Sequence, residues 1–270
     1  MTAGKKIIGC IGTGNMGSAI MLRLATGLDP ALLMIYDKDT ARSDTLSRGA
    51  GISVSSTPQS LAAESGVVII AVKPDAVPAV IGEIRGALKP GAIIVSIAAG
   101  VSIAAIEVLT GSPMKIVRVM PNTPSMVGEG MSVLSPNDHV DEQSLLEVEQ
   151  IFSKIGRVTV LPEKLMDAVT GLSGSGPAYV FTFIQALADG GVKLGIPRDK
   201  AIMLAAQTVL GSAKYVLESG EDPAALRGRV TSPGGTTIEG IHVLERSGFS
   251  GIVMDAVEKA AQKSQKLGER

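Results

Sequence analysis

Apolar residues fall into two regimes along this chain. Through residue 161 they come as short, mostly continuous runs, Lys6–Gly12, Leu32–Tyr36, Val67–Val72, Ala92–Ile97 and Lys115–Met120. Runs of Val, Ile, Leu and Ala without polar alternation predict parallel strands covered on both faces. Between them the spacing turns helical over Asn15–Thr26, Thr40–Arg48, Thr57–Ala63, Asp75–Ala87 and Ser102–Leu109. Strand-helix alternation predicts a doubly wound α/β sheet. Two more short strands, Met131–Leu134 and Gly156–Leu161, flank a predicted helix at Asp141–Lys154.

Beyond Pro162 the strand pattern stops. Glu163–Gly171, Pro177–Leu194, Arg198–Glu218, Pro223–Arg229, Thr236–Ser247 and Gly251–Lys266 all read as helices, with stops at Gly195-Ile196-Pro197 and Gly220. The expected division is therefore an α/β domain over 1–162 and an all-helical domain over 163–270. Ala178–Leu187 and Ala201–Leu210 are apolar nearly all round. A helix of that kind must be covered on every side, and so small a domain has few such places. A second copy of the chain is the expected cover, giving at least a homodimer.

Gly12-Thr13-Gly14-Asn15-Met16-Gly17 follows the first strand and opens the first helix. In that context Gly12 permits a tight turn, Gly14 lets a pyrophosphate approach the backbone, and Gly17 lets helix pack on strand. The helix start adds free N–H groups and a positive dipole end. This predicts a Rossmann-like dinucleotide site. Asp37 ends the second strand, where a carboxylate accepts from both ribose hydroxyls of NAD and repels a 2′-phosphate. Lys38 and Arg42 follow and could hold that phosphate; from Asp37 the expectation leans to NADH within NAD(P)H. Capping of the next helix is the structural alternative for Asp37. Ala71, Val72, Lys73 and Pro74 end one later strand, and Ala98 and Ala99 another. Both are expected at the carboxyl edge, beside ribose and nicotinamide. Asn122, between two prolines in Met120–Pro124, offers an amide to the same ligand or serves a structural turn.

Composition narrows the function. The chain has 270 residues, 45% hydrophobic and 19% charged, with a net charge of −1 and no long basic run. It reads as globular, without support for nucleic-acid binding. No free apolar stretch of membrane-spanning length is seen, so no membrane partner is expected. Met1–Lys6 leads directly into the first strand run, and no leader is expected. The single cysteine, Cys10, lies in an apolar run and is read as packing in a reduced, cytoplasmic protein. No metal site is expected.

A second glycine cluster, Thr231-Ser232-Pro233-Gly234-Gly235-Thr236-Thr237, precedes a helix. Ser232 suits a cap, the glycines expose backbone N–H groups, and a helix start of this kind holds a small carboxylate. Gly171-Leu-Ser173-Gly-Ser175-Gly-Pro177-Ala178-Tyr179 is expected to open another helix in the same way. Together with I-G-x-G-N-M-G, A-V-K-P, the A-A-G turn and M-P-N-T-P, these segments resemble the pyrroline-5-carboxylate reductase family over residues 7 to 240. The resemblance implies NAD(P)H-dependent reduction of Δ1-pyrroline-5-carboxylate to L-proline, a helical dimerisation domain, and often a ring of five dimers. It also implies that Ser232, Thr236 and Thr237, with the backbone at Gly234 and Gly235, bind the substrate carboxylate, and that Thr237 sits near the ring nitrogen. Asp37 departs from relatives that prefer NADPH.

The scarcity of acid-base groups fits an imine. Of the two histidines, His139 reads as surface and His242 as a packing or dimer contact. A protonated C=N is already electrophilic, so alignment, worth about 7–11 kcal/mol in favourable cases, matters more than proton delivery. Three other readings share parts of the pattern: a broader cyclic imine reductase, a β-hydroxyacid-dehydrogenase-like enzyme, and a non-enzymatic NAD sensor. The second needs a lysine in the helix carrying Tyr179, Phe181 and Phe183, and Lys193 comes too late.

Overall fold

The computed structural model describes residues 6–268. Packing divides them into two compact units, residues 6–175 with 259–268, and Gly176–Glu258.

The first unit is built on one sheet of β1 (Ile8–Ile11), β2 (Leu33–Tyr36), β3 (Ser53–Val54), β4 (Val67–Ile70), β5 (Ile93–Ser96), β6 (Lys115–Met120), β7 (Gly130–Pro136) and β8 (Gly156–Val160). The spatial order is β3-β2-β1-β4-β5-β6-β7-β8. All neighbours are parallel except β6 and β7. Strand order reverses between β1 and β4, which is where open sheets of this kind part to admit a ligand. β1, β4 and β5 are buried at every position, as their mostly apolar runs predict.

Helices α1 (Asn15–Ala25), α2 (Thr40–Ala50), α3 (Pro58–Glu64), α4 (Val77–Ile84), α5 (Ile103–Thr110) and α6 (Glu142–Phe152) cover the sheet. One face packs Ile20, Met21 and Leu24 of α1 with Val148 and Phe152 of α6. The other packs Leu61, Ile81, Ile84 and Ile106 of α3, α4 and α5. Each such fully buried side chain contributes about 1.5–3 kcal/mol. Two elements differ from the sequence expectation, and a third takes a direction that the sequence reading left open. β3 is two residues long, below the reach of any periodicity. The helix expected over Asp75–Ala87 is a 3-10 turn, Pro74–Ala76, followed by α4. β7 runs against β6, since the Thr123–Val127 3-10 turn reverses the chain within a few residues, too few for a crossover.

After α7 (Met166–Val169) the chain makes a π-helical turn over Thr170–Gly174 and continues as α8 (Gly176–Lys193). The second unit comprises α8, α9 (Arg198–Ser219), α10 (Pro223–Arg229), α11 (Thr236–Arg246) and the first half of α12 (Phe249–Gly268). Its interior between α8 and α9 is small, centred on Ala188, Ala201 and Ala205. Met203, Leu204, Leu210 and Leu217 of α9 and Phe181 of α8 are all more than half exposed. Among the described residues no helix is long and apolar enough to cross a membrane.

Candidate active site

The glycine loop between β1 and α1 has the backbone its three glycines allow. Gly12 adopts φ +100°, and a Cβ there would lie 2.5 Å from the Ala71 carbonyl oxygen. Its N–H donates to the Tyr36 carbonyl at 2.8 Å, tying the loop to β2. A Cβ on Gly17 would meet the Gly12 carbonyl at 2.0 Å, while one on Gly14 would find no atom within 4 Å. Gly12 and Gly17 are thus demanded by protein packing and Gly14 by none of it. Its open side is a cradle that a side chain would fill. Gly14 is also the N-cap of α1 and provides no side-chain cap, so the first N–H groups of the helix stay available to an anion. Asn15 is exposed beside them and Met16 packs on the core. These residues fit a dinucleotide's pyrophosphate.

Asp37 follows β2 and faces the loop. Its Oδ2 accepts from the Thr13 N–H at 2.6 Å and from the Thr13 hydroxyl at 3.0 Å. Its Oδ1 accepts from the Asp39 N–H at 2.9 Å. Partial burial pushes its pKa up, but these hydrogen bonds and the Arg42 charge outweigh that, and the carboxyl titrates below its ordinary value. Asp37 does not cap α2; that position is Asp39. Of the two cations that could hold a 2′-phosphate, Lys38 is exposed and Arg42 pairs with Asp39 at 3.1 Å.

The register aligns Ile11 with Ile70 and Ile70 with Ser96. The segments that follow, Gly12–Gly14, Ala71–Pro74 and Ile97–Gly100, therefore leave the sheet at one level on one edge. Ala71 and Val72 are half-buried and Lys73 and Pro74 exposed; Ala98 is buried and Ala99 half-buried. Asn122 is engaged within the protein: its Nδ2 donates to the Ser173 carbonyl at 3.0 Å and its Oδ1 accepts from the Met131 N–H at 2.8 Å. It thereby joins the Met120–Pro124 loop to the π-helical turn.

The Gly171–Tyr179 cluster opens α8 at Gly176, as its sequence predicts, but it does so through a π-helical turn, with the Ser175 N–H donating to the Thr170 carbonyl in the wide π pattern. The Ser173 hydroxyl bonds back to the Val169 carbonyl at 3.1 Å.

In the second unit, the N-terminus of α11 is open. Gly235 is the N-cap, with no side-chain cap, and Ser232 does not take that role. Gly234 holds φ +65°, a left-handed position suited to glycine, and a Cβ on Gly235 would lie 2.3 Å from the Ser232 Oγ. The Ser232 hydroxyl thus occupies the space over the turn. Thr236 and Thr237 stand in the first helical turn, where no preceding helical carbonyl is available to take their hydroxyls. By contrast, Thr57, Ser102, Asp141 and Asp222 cap α3, α5, α6 and α10 with their own side chains.

The remaining sequence candidates are quiet. Cys10 is fully buried and its thiol is pushed up to about 12, by burial first and by the Asp37 charge second. His139 and His242 are exposed on the chain. Among the described residues no group of acidic, histidine and cysteine side chains is placed to hold a metal. Sequence reasoning missed Arg118, which is 5% exposed on β6 and reaches Glu163 at 3.1 Å. A cation inside an otherwise apolar strand run was its signal.

Two family descriptions match the chain: pyrroline-5-carboxylate reductase dimerisation over residues 163–267, and NADP oxidoreductase, coenzyme F420-dependent, over residues 7–100. The chain is 45% identical to a pyrroline-5-carboxylate reductase of Synechocystis over 97% of its own length and 98% of the relative's. A pyrroline-5-carboxylate reductase from Coxiella burnetii superposes with a TM-score of 0.92 at 34% identity, covering 98% of this chain and 99% of that one. Pyrroline carboxylate reductase of Plasmodium falciparum, with NADP bound, gives 0.88 at 35% identity, covering 97% and 98%.

Proposed function

The chain belongs to the pyrroline-5-carboxylate reductase family, and on that premise we propose that it reduces Δ1-pyrroline-5-carboxylate to L-proline with NAD(P)H. The carrying observation is the uncapped N-terminus of α11 behind the Ser232–Gly235 turn. An anion-binding helix start followed at once by two threonines matches a substrate that offers a carboxylate and a ring nitrogen.

Bound reduced nicotinamide supplies the hydride. The chain's own residues bind and align. Gly12, Thr13, Gly14, Asn15, Met16 and Gly17 form the phosphate loop. Ala71, Val72, Lys73, Pro74, Ala98 and Ala99 line the ribose and nicotinamide region, whereas Asn122, with its amide spent on Ser173 and Met131, serves the structural turn. The Gly235 N–H is engaged by the Ser232 carbonyl at 3.1 Å, so Gly235 shapes the turn, and the Gly234 N–H and the first N–H groups of α11 face the substrate carboxylate, with Ser232 and Thr236 beside it. Thr237 orients the ring nitrogen, at which one proton is held while the imine carbon takes the hydride. The products are proline and oxidised cofactor, so atoms and charge balance.

Within that reading the cofactor is NADH in preference to NADPH. Asp37 is held ionised, and Arg42 is already paired with Asp39. The functional division stays at 1–162 and 163–270. The apolar faces of the second unit support a dimer, and five dimers in a ring are the further assembly the resemblance implies. A reduced, cytoplasmic setting accords with the lone buried Cys10. The test is direct: protein, pyrroline-5-carboxylate and either NADH or NADPH, followed at the nicotinamide absorbance. Loss of absorbance with proline formed supports the reductase. Cofactor binding without turnover would make the chain a sensor and reject it.

A further inference from the structure

The last turns of α12 pack in the first unit, against the turn that joins β5 to α5. Ser264 is 3% exposed and donates to Asp167 Oδ1 at 2.6 Å. Gly268, four residues later, lies on the same helix face. There it meets Gly100: a Cβ on Gly268 would sit 2.5 Å from the Gly100 carbonyl oxygen, and one on Gly100 would sit 3.2 Å from the Gly268 nitrogen. Gly100 is the left-handed residue of the turn, at φ +78°. Glycine meets glycine because neither position has room for a side chain.

The same turn is held from its other end. Ile103, the first residue of α5, donates its N–H to Glu163 Oε1 at 2.7 Å. The same oxygen accepts from Arg118 Nη1 at 3.1 Å, and Arg118 Nη2 lies 4.0 Å from Asp167 Oδ1. One buried guanidinium therefore sits between two carboxylates. Glu163 fixes the start of α5 and Asp167 fixes the end of α12. The Nε and Nη2 of Arg118 are buried without hydrogen-bond partners, so its charge relies on these two acids. The Ser264 hydroxyl keeps the second acid turned toward it.

We propose that the end of α12 is a positioning element for the cofactor site, with Ser264 and Gly268 setting the Ile97–Gly100 turn. Ser264 anchors the helix through Asp167, and Gly268 seats it on Gly100. Neither residue touches the cofactor; both act through Ala98 and Ala99. The inference rests on the reading of those alanines as cofactor contacts. It predicts that a change near the chain's end alters nicotinamide affinity while leaving substrate recognition alone.

The test compares full-length Ser264→Ala, Ser264→Thr, Gly268→Ala and Ala99→Leu. NADH and NADPH affinity is measured by calorimetry, and deuterium uptake over residues 97–103 is measured in cofactor-free protein. Ser264→Ala and Gly268→Ala should weaken cofactor binding about three- to tenfold and speed exchange across the turn. The KM for pyrroline-5-carboxylate should stay within about twofold, and Ser264→Thr should restore both readouts. Gly268→Ala keeps the inference testable if Ser264→Ala fails to fold. Unchanged affinity and exchange in the two tail variants, or equal losses toward cofactor and substrate, would overturn it. If Ala99→Leu weakens binding and the tail variants do not, the tail inference alone fails. If Ala99→Leu leaves binding unchanged, the cofactor reading of the turn fails instead.

Discussion

Thr13 gives both its backbone N–H and its hydroxyl to a single oxygen of Asp37, at 2.6 and 3.0 Å. The carboxylate at the end of β2 thus does two things. On the proposed placement of the cofactor it presents negative charge toward the ribose, and it fixes the conformation of the loop between β1 and α1. The Thr13 N–H is spent on Asp37, which leaves the open start of α1 as the loop's anion-binding feature. Ser18 reinforces the loop from inside α1, donating its hydroxyl to the Thr13 carbonyl at 2.7 Å.

Cofactor choice should follow the charge of Asp37. A unit charge about 4 Å from a phosphate costs about 1 kcal/mol in water and about 4 at the effective dielectric of a protein surface. Asp37→Asn should therefore raise the NADPH-to-NADH ratio of kcat/KM by roughly tenfold or more. Initial rates with both cofactors check this. An unchanged ratio would remove Asp37 from discrimination.

The same carboxylate should shape the acid limb of stability. Its native pKa lies below its ordinary value. Its stabilisation is whole above the unfolded value of about 3.9 and drains away as pH falls through the lower native one. Urea unfolding at neutral pH should find Asp37→Asn less stable than the parent by about 1–3 kcal/mol. The gap should close in acid. A gap that is constant with pH would mean that the lost geometry, not the charge, is what matters.

The sheet was legible because β1, β4 and β5 are buried at every position and, Ser96 apart, carry no polar side chain, a pattern that both-face burial dictates. Gly12 and Gly17 were legible through their spacing, and the fold gives each a steric reason. The double use of Asp37 was not, since hydrogen bonds between residues 13 and 37 leave no local pattern. Nor was the π-helical turn at Thr170–Gly174: glycine and serine in sequence look the same whether they start a helix or widen one. Arg118 stood out as a cation among Ile116, Val117 and Val119, but its partners Glu163 and Asp167 lie beyond two further strands.

Thr237 should matter for rate more than for binding. A hydrogen bond to a group carrying charge in the transition state is worth about 1.5–3 kcal/mol. Thr237→Ala should lower kcat by about 10- to 100-fold, and Thr237→Ser should keep most of it. Its place in the first turn of α11 makes the change mild for folding. Rates with pyrroline-5-carboxylate at saturation decide the matter; unchanged kcat in Thr237→Ala would take the residue out of the mechanism.

Met203, Leu210 and Leu217 recur every seven residues on α9 and are 57%, 56% and 56% exposed. Two turns of helix separate each from the next, so they form one stripe, the pattern of a helix-packing seam. Charging it with Met203→Glu and Leu210→Glu together should convert the dimer to monomer at micromolar concentration. Sedimentation velocity reads this. A double variant that remains dimeric would place the interface elsewhere on the unit.

Gly14 and Gly17 should separate binding from folding. At Gly17 a new methyl would stand 2.0 Å from a backbone oxygen, and neither α1 nor β1 can yield without opening the core around Ile20 and Leu24. Gly17→Ala should cost about 1–3 kcal/mol or more of stability. At Gly14 the backbone has φ −66° and ψ −172°, which alanine adopts freely, and the methyl would meet nothing of the protein. Gly14→Ala should unfold within about 0.5 kcal/mol of the parent. It should nonetheless weaken NADH and NADPH binding alike, because the methyl fills the space where a pyrophosphate must approach. Thermal unfolding paired with cofactor titration on both variants tests the contrast. If Gly14→Ala binds both cofactors as tightly as the parent, the phosphates lie elsewhere than at the start of α1.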